Sequence, residues 1–263
     1  MSDRTAEYDI LIDLLRDRMS FRKLKPDPIP DEFVEKILEA GRWAMSGANS
    51  QPWEYIVVKD ASTKAKLWEA FQESNRDFLF WMEQQRIEEL RHPSYQRKGN
   101  AEEQWVSLRK EEGWSKAPVL IVVLGDGRKQ WGTVQGAHTM GRGETHLTDS
   151  LANTSFAIHM AASALGLGAQ WSTVHIQEPM KRILNVPDLL MLYLIIPIGY
   201  PAVEKRPGVR TDLAKLVHYE TYDMNRYLTN QEAFKYLRDL RKETVPKFRS
   251  SGFPDIKSKL ETD

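Results

Sequence analysis

Two arginines and a serine fall within five residues at Arg18-Met19-Ser20-Phe21-Arg22, where a helical pattern gives way to an extended stretch. Guanidinium forks match phosphate oxygens in pairs and a serine adds a further donor, so the group can converge on one anion. The same residues also fit a solvated basic helix end that complements the helix dipole. A second cluster, Ser46-Gly47-Ala48-Asn49-Ser50-Gln51-Pro52-Trp53, combines small residues with two amides. Small residues let backbone approach a flat ligand closely, and Asn and Gln can pair with its polar edge; an ordinary turn before a buried Trp has the same composition. Arg210 stands by itself between a Gly-containing loop and Leu213 to Val217, and taken singly it reads as a surface charge.

Other chemistries find less support. The chain has no cysteine, which excludes disulfides, thiolate zinc sites, iron–sulfur clusters and cysteine nucleophiles together. Redox work would then need a borrowed cofactor. His138, Glu144, His146 and Asp149 offer imidazole and oxygen ligands, but no His-x-x-x-His pair or thiolate accompanies them, and surface or pocket-wall histidines are the plainer reading, so no metal is expected. Gly125-Asp126-Gly127 lacks the third glycine and the later acidic residue of a dinucleotide fingerprint. Lys plus Arg and Asp plus Glu are each 37, so the formal net charge is zero and no global field draws nucleic acid or anionic lipid. The longest apolar runs, Val119 to Leu124 and Met191 to Ile198, are far shorter than the roughly 18 residues of a membrane helix, and Met1 to Glu7 is polar. A soluble cytoplasmic protein is expected.

The elements that must position these residues follow from periodicity. Across 263 residues, 41% hydrophobic content supplies a core and 28% charged content a soluble surface. Ile10, Leu11, Leu14 and Leu15 repeat at helical spacing, and Pro26 to Pro30 then force an extended connector. Asp31 is the expected N-cap of a helix whose shared face is Phe33, Val34, Ile37, Leu38 and Trp43. Strands are expected at Glu54 to Lys59, Val119 to Leu124 and Leu192 to Ile198, with a helix at Thr63 to Gln72. A long apolar helix through Leu147, Leu151, Ile158, Ala162 and Leu165 ends at Gly166-Leu167-Gly168, and a tail helix carries Phe234, Leu237 and Leu240. Between the first two strands, Asp77 to Lys116 mixes aromatics with dense charge, and two helices, Phe78 to Leu90 and Glu102 to Arg109, are expected there. No repeat or linker divides the chain, so one domain spans 1–263.

Taken together, these segments resemble the FMN-dependent nitroreductase family. Its opening pattern of Arg-x-Ser-x-Arg, a Pro-rich connector, a helix and a loop ending Asn-x-Gln-Pro-Trp is met by Arg18, Ser20, Arg22, Pro28 to Pro30 and Asn49 to Trp53. Its closing pattern is met by Leu165 to Gly168, by Ile198-Gly199-Tyr200-Pro201, and by Arg210 before Leu213 to His218. The resemblance implies an α+β fold, with a mostly antiparallel central sheet packed by helices, built as a homodimer with FMN at the interface. It implies that Arg18, Met19, Ser20 and Arg22 hold the FMN phosphate and ribityl chain, that Arg210 closes on the phosphate, and that Ser46, Gly47, Ala48 and Asn49 lie along the flavin ring. Ser172 and Thr173 occupy the region that supplies the hydrogen bond to flavin N5. Many members carry a Glu-Gly pair there, absent from Gln170-Trp171-Ser172-Thr173-Val174; a hydroxyl is more like the deiodinase branch, whose Ser-Gly-Ala loop is similar to Ser46-Gly47-Ala48. That branch's Glu, Tyr and Lys for an amino-acid zwitterion are not found in the helix after Val58.

The implied activity is NAD(P)H-driven reduction of a small electron-poor organic substrate such as a nitroaromatic or quinone. The alternatives are a specialised dehalogenase, flavin-cleaving or dehydrogenase member, or a non-catalytic flavin-binding protein. The 77–116 segment falls where the family varies its substrate cover, so a helical lid is expected, with Trp81, Tyr95, Trp105 and Trp114 as stacking surface and Arg86, Arg91, Arg97 and Lys98 as charge partners. The plainer alternative is a surface excursion anchored by its aromatics. The extension 219–263 is expected to wrap the partner subunit, burying Phe234 and Leu237.

Overall fold

The computed structural model describes residues 4–86, 91, 113–129, 142–205 and 208–249, without the side chains of residues 76, 142–144 and 241–249. Runs of β-branched and aliphatic residues form three long strands, β1 (Trp53–Val58), β2 (Val119–Asp126) and β5 (Leu190–Gly199), beside the two-residue β3 (Gly168–Ala169) and β4 (Ser172–Thr173). They make a five-stranded sheet in the order β1-β2-β5-β3, with β4 also on β5, and every pairing is antiparallel. β2 is central and buried along its whole length, which is why it reads as a continuous apolar run.

Successive side chains of a strand point to opposite faces, so the sheet separates two cores. Ile121, Val123, Leu194 and Ile196 enter one; Leu120, Val122, Leu192 and Ile195 enter the other. The alternation slips once. Val123 pairs with Leu194 but Leu124 pairs with Leu192, so Tyr193 is an extra residue, a β-bulge that turns its ring out of the ladder.

The first core is covered by α2 (Asp31–Arg42) and α5 (Arg142–Ala164), the second by α3 (Ala61–Phe71) and α6 (Glu178–Leu184). Asp60 caps α3, its carboxylate accepting from the Thr63 amide at 2.7 Å and the Thr63 hydroxyl at 2.8 Å. A π-helical turn, Gln72–Arg76, joins α3 to α4 (Asp77–Gln85). Within that turn Asn75 is fully buried: its side-chain carbonyl accepts from the amides of His175 and Ile176, and its NH2 donates to the Ile176 carbonyl and Ser74 hydroxyl. At the two ends of the chain, α1 (Thr5–Asp17) buries no side chain and α7 (Asn230–Arg249) is amphipathic. Among the described residues no helix is long and apolar enough to cross a membrane.

Several sequence expectations shift. Asp31 is the first helical residue rather than the cap; Pro30 precedes it, and the Asp31 carboxylate pairs with Lys59 at 2.6 Å. Trp43 leaves the buried face because α2 ends at Arg42: it is 74% exposed, its indole N–H donating to Glu39 at 2.7 Å with Arg42 over the ring. The apolar stripe of α5 is spent on its own chain's core, where Leu151, Ile158 and Ala162 are fully buried. Leu237 is exposed within the chain, and the expected helix Glu102 to Arg109 lies outside the described residues.

α2 and α5 cross at Gly41, where an added Cβ would stand 2.9 Å from Ile158 Cγ1 and about as near the hydroxyls of Tyr55 and Thr154. On an open helix, Gly to Ala gains about 1 kcal/mol. Here overpacking wins, and Gly41→Ala is expected to lower stability by about 1–3 kcal/mol in urea unfolding. A gain in stability would show that the crossing is loose.

Candidate functional site

The first anchor is the end of α1. Arg18 leaves the helix with extended dihedrals, and its amide still closes on the Leu14 carbonyl. From there the chain runs along the sheet edge: Ser20 bridges Ala169, the Phe21 amide donates to the Ala169 carbonyl at 2.9 Å, and the Lys25 amide donates to the Tyr200 carbonyl at 2.8 Å. Two glycines make this approach possible. Gly166 ends α5 in the left-handed region, letting the Leu167 amide reach the Ala162 carbonyl at 2.9 Å, and a Cβ on Gly168 would meet Phe21 and Leu24 at 2.9 Å.

This stitching brings Arg18 and Ser20 beside the β3–β4 segment that carries Ser172. Arg210, exposed and beyond β5, acts on Arg18 through its charge, and Lys205, nearer β5, pairs with Asp17 of α1. Burial first, and the positive charge of Arg210 second, hold the Arg18 guanidinium below its usual pKa. Among the described residues neither Arg18 nor Arg210 forms an ion pair, and Arg18 Nε is buried with no partner. Ser172, 3% exposed, likewise keeps its hydroxyl unpartnered, whereas Thr173 is exposed. A guanidinium that feels a second positive charge, and buried donors left unsatisfied, suit an oxyanion and an acceptor atom.

Two residues of the site were not singled out from the sequence. His159, on α5, is 1% exposed and both its ring nitrogens lack a partner. Its ring stacks on Trp171 at 5.8 Å and 27°, and Trp171 in turn meets the bulged Tyr193 edge-on at 6.2 Å. Desolvation, with the Arg18 charge adding to it, pushes the His159 pKa down to about 4. The signal available was a lone titratable residue next to Ile158 inside an apolar helix, which helical periodicity absorbs.

The small-residue loop has a strained geometry of its own. It forms a 3-10 turn, Gly47–Asn49, in which the Ser46 hydroxyl accepts from the Gln51 amide at 3.0 Å. Ala48, Asn49 and Gln51 all have φ near +50°, a strained conformation for residues with a Cβ. Gly47, Ala48 and Asn49 are exposed, and the loop is held by Asn153 of α5, which donates to the Met45 carbonyl at 3.1 Å. Among the described residues no hydrogen bond joins Ser46–Asn49 to Arg18 or Arg210. Arg22 and Met19 lie half-buried on the stitched segment, each with an interaction partner.

Of the aromatics expected in a lid, Trp81 on α4 is 58% exposed and packs edge-on to Phe80. Trp114 is placed differently: it is 2% exposed in the second core, edge-on to Trp68 at 5.0 Å and Phe71 at 5.4 Å. It anchors the end of the segment and offers no surface. Tyr95 and Trp105, with Arg97 and Lys98, lie outside the described residues, as does His138 among the metal-ligand candidates. Arg86 pairs with Glu83, and Arg91 donates to the Glu83, Gln84 and Arg86 carbonyls.

The buried imidazole gives a pH dependence with a definite sign. The unfolded chain binds a proton at His159 near pH 6.5 and the folded, ligand-free protein does not until about pH 4, so stability falls as pH drops through that window. The loss attributable to this group is on the order of 3 kcal/mol. Urea unfolding of ligand-free wild type and His159→Leu from pH 7 to pH 4 should show a smaller decline in the variant; parallel curves would mean that the imidazole takes up its proton in place.

Comparison with known proteins agrees with this architecture. The chain is 28% identical over 209 residues to iodotyrosine deiodinase 1 of Sus scrofa, covering 78% of this chain and 64% of that protein's length. It is 26% identical over 211 residues to a putative NADH dehydrogenase/NAD(P)H nitroreductase of Methanothermobacter thermautotrophicus, covering 79% of this chain and 84% of that one. A crystal structure of iodotyrosine deiodinase bound to FMN and 3-iodo-L-tyrosine superposes with a TM-score of 0.58 at 22% identity, over 81% of this chain and all of the other, a likeness of fold. Residues 15–200 match the sequence profile of the Nitroreductase family, a span that takes in the stitched N-terminal segment, the whole sheet and Ser172, and the chain belongs to that family.

Proposed function

We propose that the protein is an FMN-dependent oxidoreductase that uses NAD(P)H to reduce a small electron-poor organic substrate, such as a nitroaromatic or a quinone, and that it works as a homodimer. The observation that carries this reading is a pair of buried donors without partners, Arg18 Nε and the Ser172 hydroxyl, with the positive charge of Arg210 acting on the Arg18 guanidinium. A phosphate ester with a flat heteroaromatic ring attached answers both needs. Arg18, Ser20, Arg22 and Arg210 would hold the phosphate and ribityl chain, and Ser172 would donate its hydroxyl toward flavin N5. When bound, FMN supplies the electron-accepting and electron-donating chemistry that this cysteine-free chain lacks. The protein's own work is to fix the ring, neutralise the phosphate and keep water from the buried face.

The outward-facing 47–49 turn, whose hydrogen bonds among the described residues stay within the loop, supports a site completed by a second subunit. So do the exposed large apolar side chains of α1 (Tyr8, Ile10, Leu11), of the α2 end (Trp43, Met45) and of α5 (Phe156). The segment after β5 exposes Tyr219, Tyr222 and Tyr227 in the same way, as an arm that lies on a partner would. The strained, outward-facing Ala48 and Asn49 then meet the flavin of the neighbouring subunit.

A second reading is favoured by one feature. The Ser46-Gly47-Ala48 loop together with a buried Ser172 hydroxyl is similar to the deiodinases, and reductive removal of halogen from an aromatic substrate would use the same cofactor site. Fold does not choose between acceptors.

The purified protein is expected to carry one FMN per chain and little FAD. Arg18→Ala and Arg210→Ala should each weaken FMN binding by about 1.5–3 kcal/mol, roughly tenfold or more, in fluorescence titrations. Retention of FMN at wild-type strength by both variants rejects the assignment. Oxidation of NADH or NADPH with a nitroaromatic or quinone as acceptor supports the first activity, whereas iodide release from 3-iodo-L-tyrosine with neither acceptor reduced supports the second.

Sedimentation is expected to find a dimer at micromolar concentration. An FMN-loaded monomer that reduces acceptors would remove the need for a second subunit.

A further inference from the structure

α5 supplies several buried polar side chains, and all but one satisfy themselves. The Ser150 hydroxyl donates to the His146 carbonyl at 2.8 Å, the Ser155 hydroxyl to the Leu151 carbonyl at 2.7 Å, and the Thr154 hydroxyl to the Gly41 carbonyl at 2.8 Å. His159 is the exception: buried as completely as its neighbours, it has no partner at Nδ1 or at Nε2. A leucine there would fill the space with no unsatisfied group, so the imidazole is a standing cost to the ligand-free fold.

Its surroundings indicate what would satisfy it. Trp171 fixes the plane of the ring by stacking, and the charged neighbour that acts on it is Arg18, whose own Nε is also buried without a partner. Ser172, next in the chain after Trp171, holds a third unpartnered atom. A guanidinium can donate to the bare nitrogen of an imidazole, a bond that is not made here, but it cannot satisfy the ring N–H. An oxyanion can, because it accepts from the guanidinium and from an imidazole N–H at once.

We propose that His159 is a further phosphate-binding residue, donating from its imidazole to the phosphoryl group held by Arg18 and Arg210. The inference rests on the reading of that pair as the FMN phosphate clamp and adds to it a donor from the central helix. The clamp is then closed from three separate elements: the end of α1, the segment beyond β5, and α5. Trp171 is a positioning residue that acts through the histidine ring.

The test uses the holoprotein. Release of FMN and of riboflavin on dilution is followed by flavin fluorescence for wild type, Arg18→Ala, His159→Leu and His159→Gln, with the 31P resonance of bound FMN recorded for each. His159→Leu is expected to weaken FMN about tenfold while leaving riboflavin unchanged, and to stabilise the ligand-free fold. His159→Gln, which keeps an N–H donor, should recover part of the affinity, and the 31P resonance should move in both variants. Unchanged FMN binding in His159→Leu beside a weakened Arg18→Ala overturns the role of His159 and leaves the clamp standing. Equal weakening of FMN and riboflavin, or an unmoved 31P resonance, makes His159 a packing residue and also overturns it. Unchanged binding in Arg18→Ala refutes the clamp itself, and the inference falls with it. If the leucine variant does not fold, His159→Gln and its 31P resonance decide.

Discussion

Three backbone hydrogen bonds, from Phe21 to Ala169, from Lys25 to Tyr200 and from Ala202 to Lys23, hold the beginning of the chain against the edge of a sheet completed much later in the sequence. The site depends on that stitching. It sets Ser20 against β3, and the residues just after Arg18 along the sheet edge. The two-residue strands β3 and β4 exist as pairings on β5, so the platform is borrowed from the most buried strands. Contacts of this sequence separation carry a large loop-closure entropy and form late in folding. The site therefore cannot pre-exist in a partly folded chain, and whatever binds there reports on the finished sheet.

The fold was legible wherever periodicity was long. α2, α5, β1, β2 and β5 all follow from apolar spacing, because a strand of six or more residues or a helix of three turns repeats its pattern often enough to be read. β3 and β4 are too short for any alternation, and their place is set by partners on β5. Trp43 shows the limit at a boundary: its spacing matches the face of α2, but the helix stops one residue earlier and the side chain turns to solvent. Trp114 shows the limit of composition, since an aromatic in a charged segment can anchor as readily as it can recognise.

The candidate site was legible in part, for a different reason. Arg18, Ser20, Arg22 and Arg210 were named through a resemblance; taken singly, each is as well explained by a solvated surface. The approach of Ser20 to β3 is a property of β-register, which no local pattern encodes. His159 was hidden because a helix reads as apolar when one residue of its buried surface is polar, and Trp171 because a single aromatic between two short strands carries no signal. Both became visible as unsatisfied or stacked groups only once the side chains were in place. The candidate residues include some of the least comfortable parts of the molecule: an Arg18 guanidinium in the field of another cation, buried donors without acceptors, and left-handed Ala48 and Asn49. Such costs persist where a bound ligand or partner repays them.

Asn75 has a mechanical consequence. Sitting in the π-helical turn between α3 and α4, it grips the backbone of His175 and Ile176, the residues that follow the Ser172–Thr173 strand. A rigid amide clasp of this kind leaves no slack between the two segments, so a tilt of α4 pulls on the strand that carries Ser172. The start of α4 and the backbone just after β4 are thus pinned at one buried side chain, and a change at Asn75 is felt on both sides of it.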